Sequence, residues 1–317
     1  MLDHKQPALP PEPLYLPFEP GPFRMAMGLV ARPADELISI DEHYPEQMTR
    51  RRALLQEWGR EVLAFEPGAE PACAELLERL ADVLPRRYPS WFERSEGALH
   101  NHLTAETWRL NADPLHAAAL LVQEDLCLLQ LRDGVPHLTA GILCFTPGWR
   151  LLEKLGQPLA DVHGPVPFYA DRLARPVDRF MRHLASGKLA ERLNWGLYDN
   201  PALFRPGEHF RSALNPAVTA ENAPDTLFLR VERQTLSLLE RSGAVLFTIK
   251  THVYPLRLVL AEPGAAVRLA DAVRSMPPEM RLYKSFAPFR DALLACLDDR
   301  ARVEPPLAPS PSGRGPG

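Results

Sequence analysis

The chain has few cysteines, and their spacing excludes one class of site. Cys73, Cys127, Cys144 and Cys296 are widely separated in the 317 residues, and none forms a C-x-x-C pair. A structural zinc ion or an iron–sulfur cluster therefore has no local ligand set. We expect four reduced thiols, most of them buried.

Long apolar runs and a strong charge of one sign are also missing. No run approaches the roughly 18 apolar residues of a membrane span, and the first 23 residues hold prolines and acids where a secretory signal would be apolar. With Lys+Arg 36 against Asp+Glu 40, the net charge of -4 leaves no basic footprint for a polyanion. We therefore expect a cytoplasmic protein with no nucleic-acid partner and no membrane contact.

The common short motifs of catalysis are absent as well. The sequence contains no G-x-G-x-x-G, G-x-x-x-x-G-K-[ST], H-E-x-x-H or G-x-S-x-G. The sequence therefore lacks the usual signatures of dinucleotide binding, triphosphate binding, zinc proteases and serine hydrolases. Function has to be sought in polar residues that lie within apolar sequence.

Proline, in contrast, is abundant, and its distribution suggests the domain limits. Many of the 34 prolines fall in the first 22 positions and in the tail VEPPLAPSPSGRGPG. This predicts an extended arm over residues 1–22 and a disordered tail over 303–317. Residues 23–302 then form a single α+β domain with helical additions at both ends.

Helical periodicity marks the flanks of that domain. Apolar residues recur at helical spacing over 46–65 and again over 71–84, where Pro85 and Pro89 are expected to end the second helix. A short helical turn is predicted over 149–155, a longer helix broken or kinked at Pro176 over 169–186, and a helical region over 265–299 interrupted at Pro277. Short extended pieces are expected over 23–41.

The middle and late parts of the chain change to strand patterns. Residues 125–131 and 137–145 bracket Asp133-Gly134, a step that favours the positive φ of a tight hairpin turn. The strongest strands lie over 226–232 and 244–256, and the intervening RQTLSLLERSG predicts one or two helical turns ended by Gly243. No βαβ order appears, so one largely antiparallel sheet is expected.

Several polar groups each admit two interpretations. Period-two alternation places Arg230 and Glu232 on one strand face. They form either a surface ion pair or a binding site, in which the arginine binds an anionic cofactor group such as a haem propionate and the glutamate faces a cationic substrate. Thr248, Lys250 and His252 share a face that we interpret as solvated. The His100-Asn101-His102 step has the spacing of two ligands on a strand, although a flexible polar loop is the simpler interpretation.

His163 lies in the block Asp161-Val162-His163-Gly164-Pro165-Val166-Pro167, which two prolines and a glycine hold in a fixed, non-helical path. A rigid loop can aim an imidazole at a metal such as haem iron, provided that a second partner fixes its tautomer, and Asp161 is that partner if the loop folds back. The alternative is a histidine hydrogen-bonded to backbone in an ordinary turn.

Taken in order, several blocks resemble a known family. They are MGL near Met27, LVQEDLCLL at 121–129, AGILCFTPGWRLLEKLGQPLADVHGPVP at 140–167, LNWGL at 193–197, and LRVERQTL followed by AVLFTIKTHVYPL. This series resembles the alpha subunit of haem-dependent oxidative N-demethylases, over roughly residues 15–300. The resemblance implies a PAS-like antiparallel sheet flanked by helices, which carries haem b.

The resemblance also implies an activity and partners. It points to oxidation of a small secondary or methylated amine, such as dimethylamine, by O2 with release of formaldehyde. Electrons would come from reductase and ferredoxin-type subunits. A non-catalytic haem or small-ligand sensor on the same fold, and an interaction module without cofactor, remain as alternatives.

Carried onto this sequence, the resemblance makes His163 the candidate iron ligand and Arg230 and Arg233 candidate contacts to the haem propionates. Glu232 and Tyr169 are the candidate catalytic residues, because a carboxylate and aromatic walls favour a methylated ammonium. Trp195 is expected to line the same pocket and to bind the cofactor.

Overall fold

The structure, a computed structural model, describes residues 8–18, 21–207 and 210–303. Its strands are β1 (Val30–Arg32), β2 (Leu63–Phe65), β3 (Phe92–Ser95), β4 (Ala98–Asn101), β5 (Glu106–Arg109), β6 (Asp125–Arg132), β7 (Val135–Ile142), β8 (Pro147–Gly148), β9 (Leu189–Tyr198), β10 (Arg205–Pro206), β11 (Phe228–Leu238) and β12 (Val245–Pro255). Seven of them form one antiparallel sheet in the order β1-β9-β11-β12-β6-β7-β2. This confirms a mixed α and β architecture with a large antiparallel sheet.

The helices lie before, between and after these strands. They are α1 (Tyr44–Trp58), α2 (Glu70–Arg87), α3 (Pro114–Ala119), α4 (Leu151–Lys154), α5 (Leu159–Val162), α6 (Tyr169–Arg172), α7 (Ala174–His183), α8 (Ala223–Thr226), α9 (Leu256–Val259), α10 (Ala265–Ser275), α11 (Pro278–Tyr283) and α12 (Arg290–Val303), with short 3-10 turns at Ala34–Leu37 and Gly59–Glu61. Within the described ranges, every helix is too short or too polar to cross a bilayer.

Alternation along the central strands gives the large sheet two faces. We call front the face that carries Arg192, Asn194, Arg230, Glu232 and Gln234, and back the face that carries Trp195, Arg233, Lys250 and His252. The short helices α4–α7 cover the front face, packing Leu159, Tyr169 and Val177 against Leu236. The helices of both flanks, α1–α3 and α9–α12, cover the back face.

The back face holds a buried polar network instead of the solvated surface expected for it. Lys250 is fully buried, and its Nζ lies 2.7 Å from Asp41 Oδ2 while donating to Ser39 O at 2.7 Å and to Gln123 Oε1 at 3.1 Å. Buried His252 pairs through Nδ1 with Glu12 Oε1 at 2.9 Å. The expectation was wrong because residues from the N-terminal part of the chain lie on this face.

Several predicted elements are confirmed. The hairpin of β6 and β7 turns at Asp133 and Gly134, whose φ angles of 51 and 77 match the expected positive values. The helical turn near 149–155 is α4, and the C-terminal helices break at Pro277 as predicted. All four cysteines are free and buried.

Two helix limits differ from the prediction. The first helix ends at Trp58, and the predicted last turn, Leu63–Phe65, pairs instead with β7 as an edge strand. Pro85 does not end α2, which continues to Arg87. A proline in the last turn removes only one backbone hydrogen bond, so the helix tolerates it there.

The helix predicted over 169–186 is two helices. It divides at Leu173, between α6 and α7, and Pro176 lies in the first turn of α7. The N–H groups of a first turn have no intrahelical acceptor, so proline costs no hydrogen bond at that place and produces no kink.

Two further predictions were wrong because strand pairing decided the local structure. The segment after Glu232 forms no helical turn, since β11 runs on to Leu238 with β9 on one side and β12 on the other. His100 and Asn101 lie in β4, in the small sheet β3-β4-β5, and not in a loop. Asn101 is buried and donates to the Tyr44 hydroxyl at 2.7 Å.

The predicted termini fall partly outside the described residues. Residues 8–18 contain no helix or strand, while 1–7 and 19–20 are outside the described ranges. Val303 ends α12, and the rest of the predicted tail, 304–317, is also outside. The division into arm, domain and tail stays a prediction.

Candidate functional site

Glu232 is the central carboxylate of the front face. It is 9% exposed, and its Oε2 accepts hydrogen bonds from Asn194 Nδ2 at 3.2 Å and Gln234 Nε2 at 2.9 Å. Asn194 is its register partner on β9, so the sheet pairing itself creates this contact. The two amide donors stabilise the carboxylate without neutralising its charge.

Arg230 lies beside Glu232 and is almost fully buried. Its Nε is 3.9 Å from Glu232 Oε1, while its terminal nitrogens donate to the carbonyl oxygens of Leu203 at 3.1 Å and of Phe145, and to Thr251 Oγ1 at 3.2 Å. Burial lowers the pKa of Arg230, and the attraction of Glu232 opposes that effect. The guanidinium thus anchors two loops to the front face.

His163 caps the short helix α5, so the predicted non-helical block begins in a helical turn. Its Nδ1 lies 2.9 Å from the carbonyl oxygen of Leu159, which takes the place we expected for Asp161. A carbonyl oxygen only accepts, so Nδ1 carries the proton and Nε2 of the neutral ring keeps its lone pair. Burial lowers the pKa of His163, and Arg192 and Lys154 lower it further, so the ring is neutral near pH 7.

Tyr169 stacks on His163, with ring centroids 4.4 Å apart and an angle of 8° between the planes. The side chain is buried, and its hydroxyl has no hydrogen-bond partner among the described residues. Burial raises the pKa of Tyr169 to about 12, and the charge of Asp178 acts in the same direction. The hydroxyl therefore stays protonated and free to donate.

Arg192 connects these side chains electrostatically. Its charge lowers the pKa of both His163 and Tyr169. Burial lowers the pKa of Arg192 itself, and the attraction of Glu232 partly opposes that effect. Its Nε, like the Tyr169 hydroxyl, is buried without a hydrogen-bond partner among the described residues. Unpaired buried donors are uncommon in folded proteins. These two act on each other's pKa, and together they indicate a place for a bound group.

Arg233 and Trp195 lie on the opposite face of the sheet. Arg233 Nε donates to Glu191 Oε2 at 2.6 Å, and its Nη2 donates to Glu36 O at 2.6 Å. The Trp195 ring packs at 5.7 Å from Phe18. The structure therefore brings His163, Tyr169, Arg230 and Glu232 to the front of the sheet and separates Arg233 and Trp195 from them.

Two contributors to the site had escaped the sequence analysis, Arg192 and Lys284, while Asn194 lies in the family block LNWGL without having been assigned a role. Arg192 and Asn194 alternate with Leu193 and Trp195 in β9, a pattern that predicts a strand. Lys284 follows α11, and its Nζ donates to the Trp195 carbonyl oxygen and lies 3.4 Å from Asn194 Oδ1. Burial lowers the pKa of Lys284 to about 8. No local sequence pattern indicates that Lys284 belongs to the site.

A second polar group, on the back face, also has the donors of a metal site. One ligand atom each of Glu12, Asp41 and His252 lies within 4.8 Å of the others. The ammonium of Lys250 already pairs with Asp41 at 2.7 Å, and a second cation beside it would be repelled. We assign this group to the stability of the fold.

Comparison with known families identifies the family of this chain. A family model described as "haem-dependent oxidative N-demethylase, alpha subunit-like" matches residues 28–294. The chain belongs to this family. The match contains all the front-face residues described above and every strand of the large sheet.

Membership of the N-demethylase family gives the chain a haem-dependent oxidative function in the broad sense. The description as alpha-subunit-like suggests one component of an oxidase with several subunits. The front face suits a haem in its donor set, since His163 offers a neutral imidazole nitrogen. The free donors on Tyr169 and Arg192 offer partners for the polar edge of such a group.

Proposed function

We propose that this chain is the haem-binding subunit of an oxidative N-demethylase and that its substrate is a small secondary or methylated amine similar to dimethylamine. The observation that carries the proposal is the state of His163, a neutral imidazole anchored through Nδ1 and stacked on Tyr169. Together with the family match, it supports a resident haem b held by His163 on a PAS-like sheet.

The residues of the site have distinct parts in this proposal. Haem supplies the activation of O2 and the oxidation of the N-methyl carbon. Arg230 and Arg192 place positive charge on the front face, suited to the propionates, whereas Arg233 pairs with Glu191 on the back face. Trp195, in β9 and on that same face, packs against Phe18 and Phe286.

Glu232 is proposed to bind and deprotonate the substrate. A small amine is an ammonium ion at neutral pH, and the Glu232 carboxylate attracts it against the repulsion of the neighbouring Arg230. Transfer of the ammonium proton to a Glu232 carboxylate oxygen frees the nitrogen lone pair for oxidation. Asn194 and Gln234 keep the carboxylate in place, and the Tyr169 ring provides an apolar wall for the methyl group.

The overall reaction balances with two external electrons. One oxygen atom of O2 is inserted into a methyl C–H bond, and the other leaves as water with two electrons and two protons. The resulting carbinolamine breaks its C–N bond to give formaldehyde and the demethylated amine. Because the four cysteines are scattered and buried, we propose that reductase and ferredoxin-type partner subunits deliver the electrons.

The visible absorption spectrum tests the cofactor first. The wild-type protein, expressed with haem supply, should show an intense Soret band that is shifted or lost in His163→Ala. His137→Ala is the matched control, because His137 makes the same Nδ1 contact to a carbonyl oxygen, that of Val135, at 2.9 Å. Absence of a band in the reconstituted wild type would refute the proposal. An unchanged band in His163→Ala would show that His163 is not the iron ligand.

The substrate is tested with Glu232→Gln, which keeps the size and hydrogen bonds of the side chain but removes its charge. With dimethylamine and a chemical reductant, the wild type should release formaldehyde, and the variant should show a KM raised at least tenfold with its Soret band unchanged. A protein that binds haem but makes no formaldehyde from any methylated amine would favour a haem sensor on the same fold.

A further inference from the structure

The outer surface of α7 and the turn before it carry an unusual concentration of positive charge. Residues 171–188 contain four arginines and one lysine against two aspartates, in a chain whose net charge is -4. The side chains of Arg172, Arg175, Arg179 and Arg182 are all exposed. We call these four residues the arginine face.

Arginines elsewhere on the surface are commonly paired with acids. Examples are Arg132 with Glu66 at 2.6 Å and Arg274 with Asp298 at 2.5 Å. Among the described residues, none of the four arginines of the arginine face has an acidic partner within ion-pair distance. Arg172 lies over the Phe168 ring at 5.2 Å, and Arg182 donates to the Asp178 carbonyl oxygen at 3.3 Å. Their charges thus remain available to a partner.

The arginine face lies directly outside the layer that holds His163. The inner side of α7 packs Val177 and Met181 into the same cluster as Tyr169, and Tyr169 stacks on His163. On the outer side, Arg175, Arg179 and the Phe180 ring line an open groove of about 700 Å³. One helical layer therefore separates this surface from the candidate iron ligand.

We propose that the arginine face docks the acidic surface of an electron-donating protein; the donor's role in this inference rests on the function proposed above. From Arg175 to Arg182 the charges extend along about 10 Å of α7, and Arg172 lies before it on α6. This extent exceeds one small anion and suits a protein surface. Arginine is enriched at protein interfaces, and complementary charge accelerates and orients association. Docking at this place brings the donor next to the site that consumes the electrons.

The test measures binding of an acidic probe, a plant-type [2Fe–2S] ferredoxin, by isothermal titration calorimetry at low and high salt. The charge-reversal variant is Arg175→Glu with Arg179→Glu. Its matched control is Arg86→Glu with Arg300→Glu, two exposed arginines on α2 and α12. We expect wild-type affinity to fall with salt, the reversal variant to bind at least tenfold more weakly at low salt, and the control to stay within twofold of wild type.

Two further readouts separate this inference from the proposed function. The calorimetry does not require haem, so it tests docking even if the Soret band is absent. In the haem-loaded protein, the rate of reduction by the ferredoxin should fall in the reversal variant and not in the control. Equal ferredoxin affinity in all three proteins would overturn the docking surface while leaving the haem site intact.

The same variants exclude the other uses of a basic helix. Loss of the Soret band in the reversal variant would assign these arginines to the haem propionates and overturn the inference. Tighter binding of a duplex DNA of random sequence than of ferredoxin, lost in the same variant, would replace a protein partner by a nucleic acid. We expect an unchanged Soret band and no such DNA binding at physiological salt.

Discussion

Replacing Lys250 by methionine is expected to destabilise the fold strongly without touching the front-face site. The variant keeps most of the volume of the side chain but removes the ammonium that lies 2.7 Å from Asp41 Oδ2. Both partners are 1% exposed. Removing one member of a buried ion pair costs about 3–5 kcal/mol, because the remaining charge has lost its partner and cannot reach water.

The loss should depend on pH in a defined direction. Burial pushes the pKa of Asp41 upward, but Lys250 and Gln123 outweigh burial, so the folded-state pKa lies below the usual value of 3.8. In the wild type this carboxylate stabilises the fold above that usual value, and the contribution fades as the pH falls through the folded pKa. Without Lys250 the burial effect dominates and the pKa of Asp41 rises. The variant then regains stability on acidification as Asp41 takes up a proton.

Urea unfolding followed by tryptophan fluorescence and far-UV circular dichroism measures the effect. The difference in the free energy of unfolding between wild type and Lys250→Met should be largest at pH 7 and should shrink toward pH 4. Lys188→Met, at an exposed position, is the control and should change the free energy by about 0.5 kcal/mol or less. A Lys250→Met loss under 1 kcal/mol, or one that grows on acidification, would refute the reasoning.

The remaining predictions concern the front face and the turn of the β6–β7 hairpin. Because the pKa of His163 lies below 6.5, haem should be retained down to a pH midpoint below 6.5, measured by the Soret band on acid titration; release above that value contradicts the neutral, anchored ring. Tyr169→Phe should change the free energy of unfolding by less than about 1 kcal/mol, since the hydroxyl has no partner, whereas Tyr169→Ala should cost about 3–5 kcal/mol in denaturant titrations. Gly134→Ala should cost about 1 kcal/mol at a φ of 77, and thermal unfolding unchanged from wild type would contradict that strain.

Local signals were sufficient for the elements whose neighbours are close in the chain. The Asp133-Gly134 turn predicted the β6–β7 hairpin because both strands and their turn lie within 18 residues. The helices from Tyr44 and from Glu70 followed from apolar periodicity. The family blocks placed His163 among the candidate site residues before any geometry was known.

Sequence reasoning failed where distant segments decide the environment. The residues after Glu232 have spacing compatible with a helix, and only pairing with β9 and β12 makes them a strand. Lys250 and His252 were predicted to be solvated because their own strand gives no sign of what covers it. Arg230 and Arg233, three positions apart, were assigned to one cofactor, although an odd spacing on a strand places them on opposite faces.

The back-face network also constrains the order of events during synthesis. Glu12 and His252 are 240 residues apart, and Ser39 and Lys250 are 211 apart, so the N-terminal segment lacks its partners in β12 for most of translation. Contacts of such high sequence separation slow folding and leave unpaired surface exposed meanwhile. The ribosome must therefore deliver β12 before the contacts of Glu12 and Ser39 with this strand can form, and the N-terminal side of the back-face cover is completed only late in synthesis.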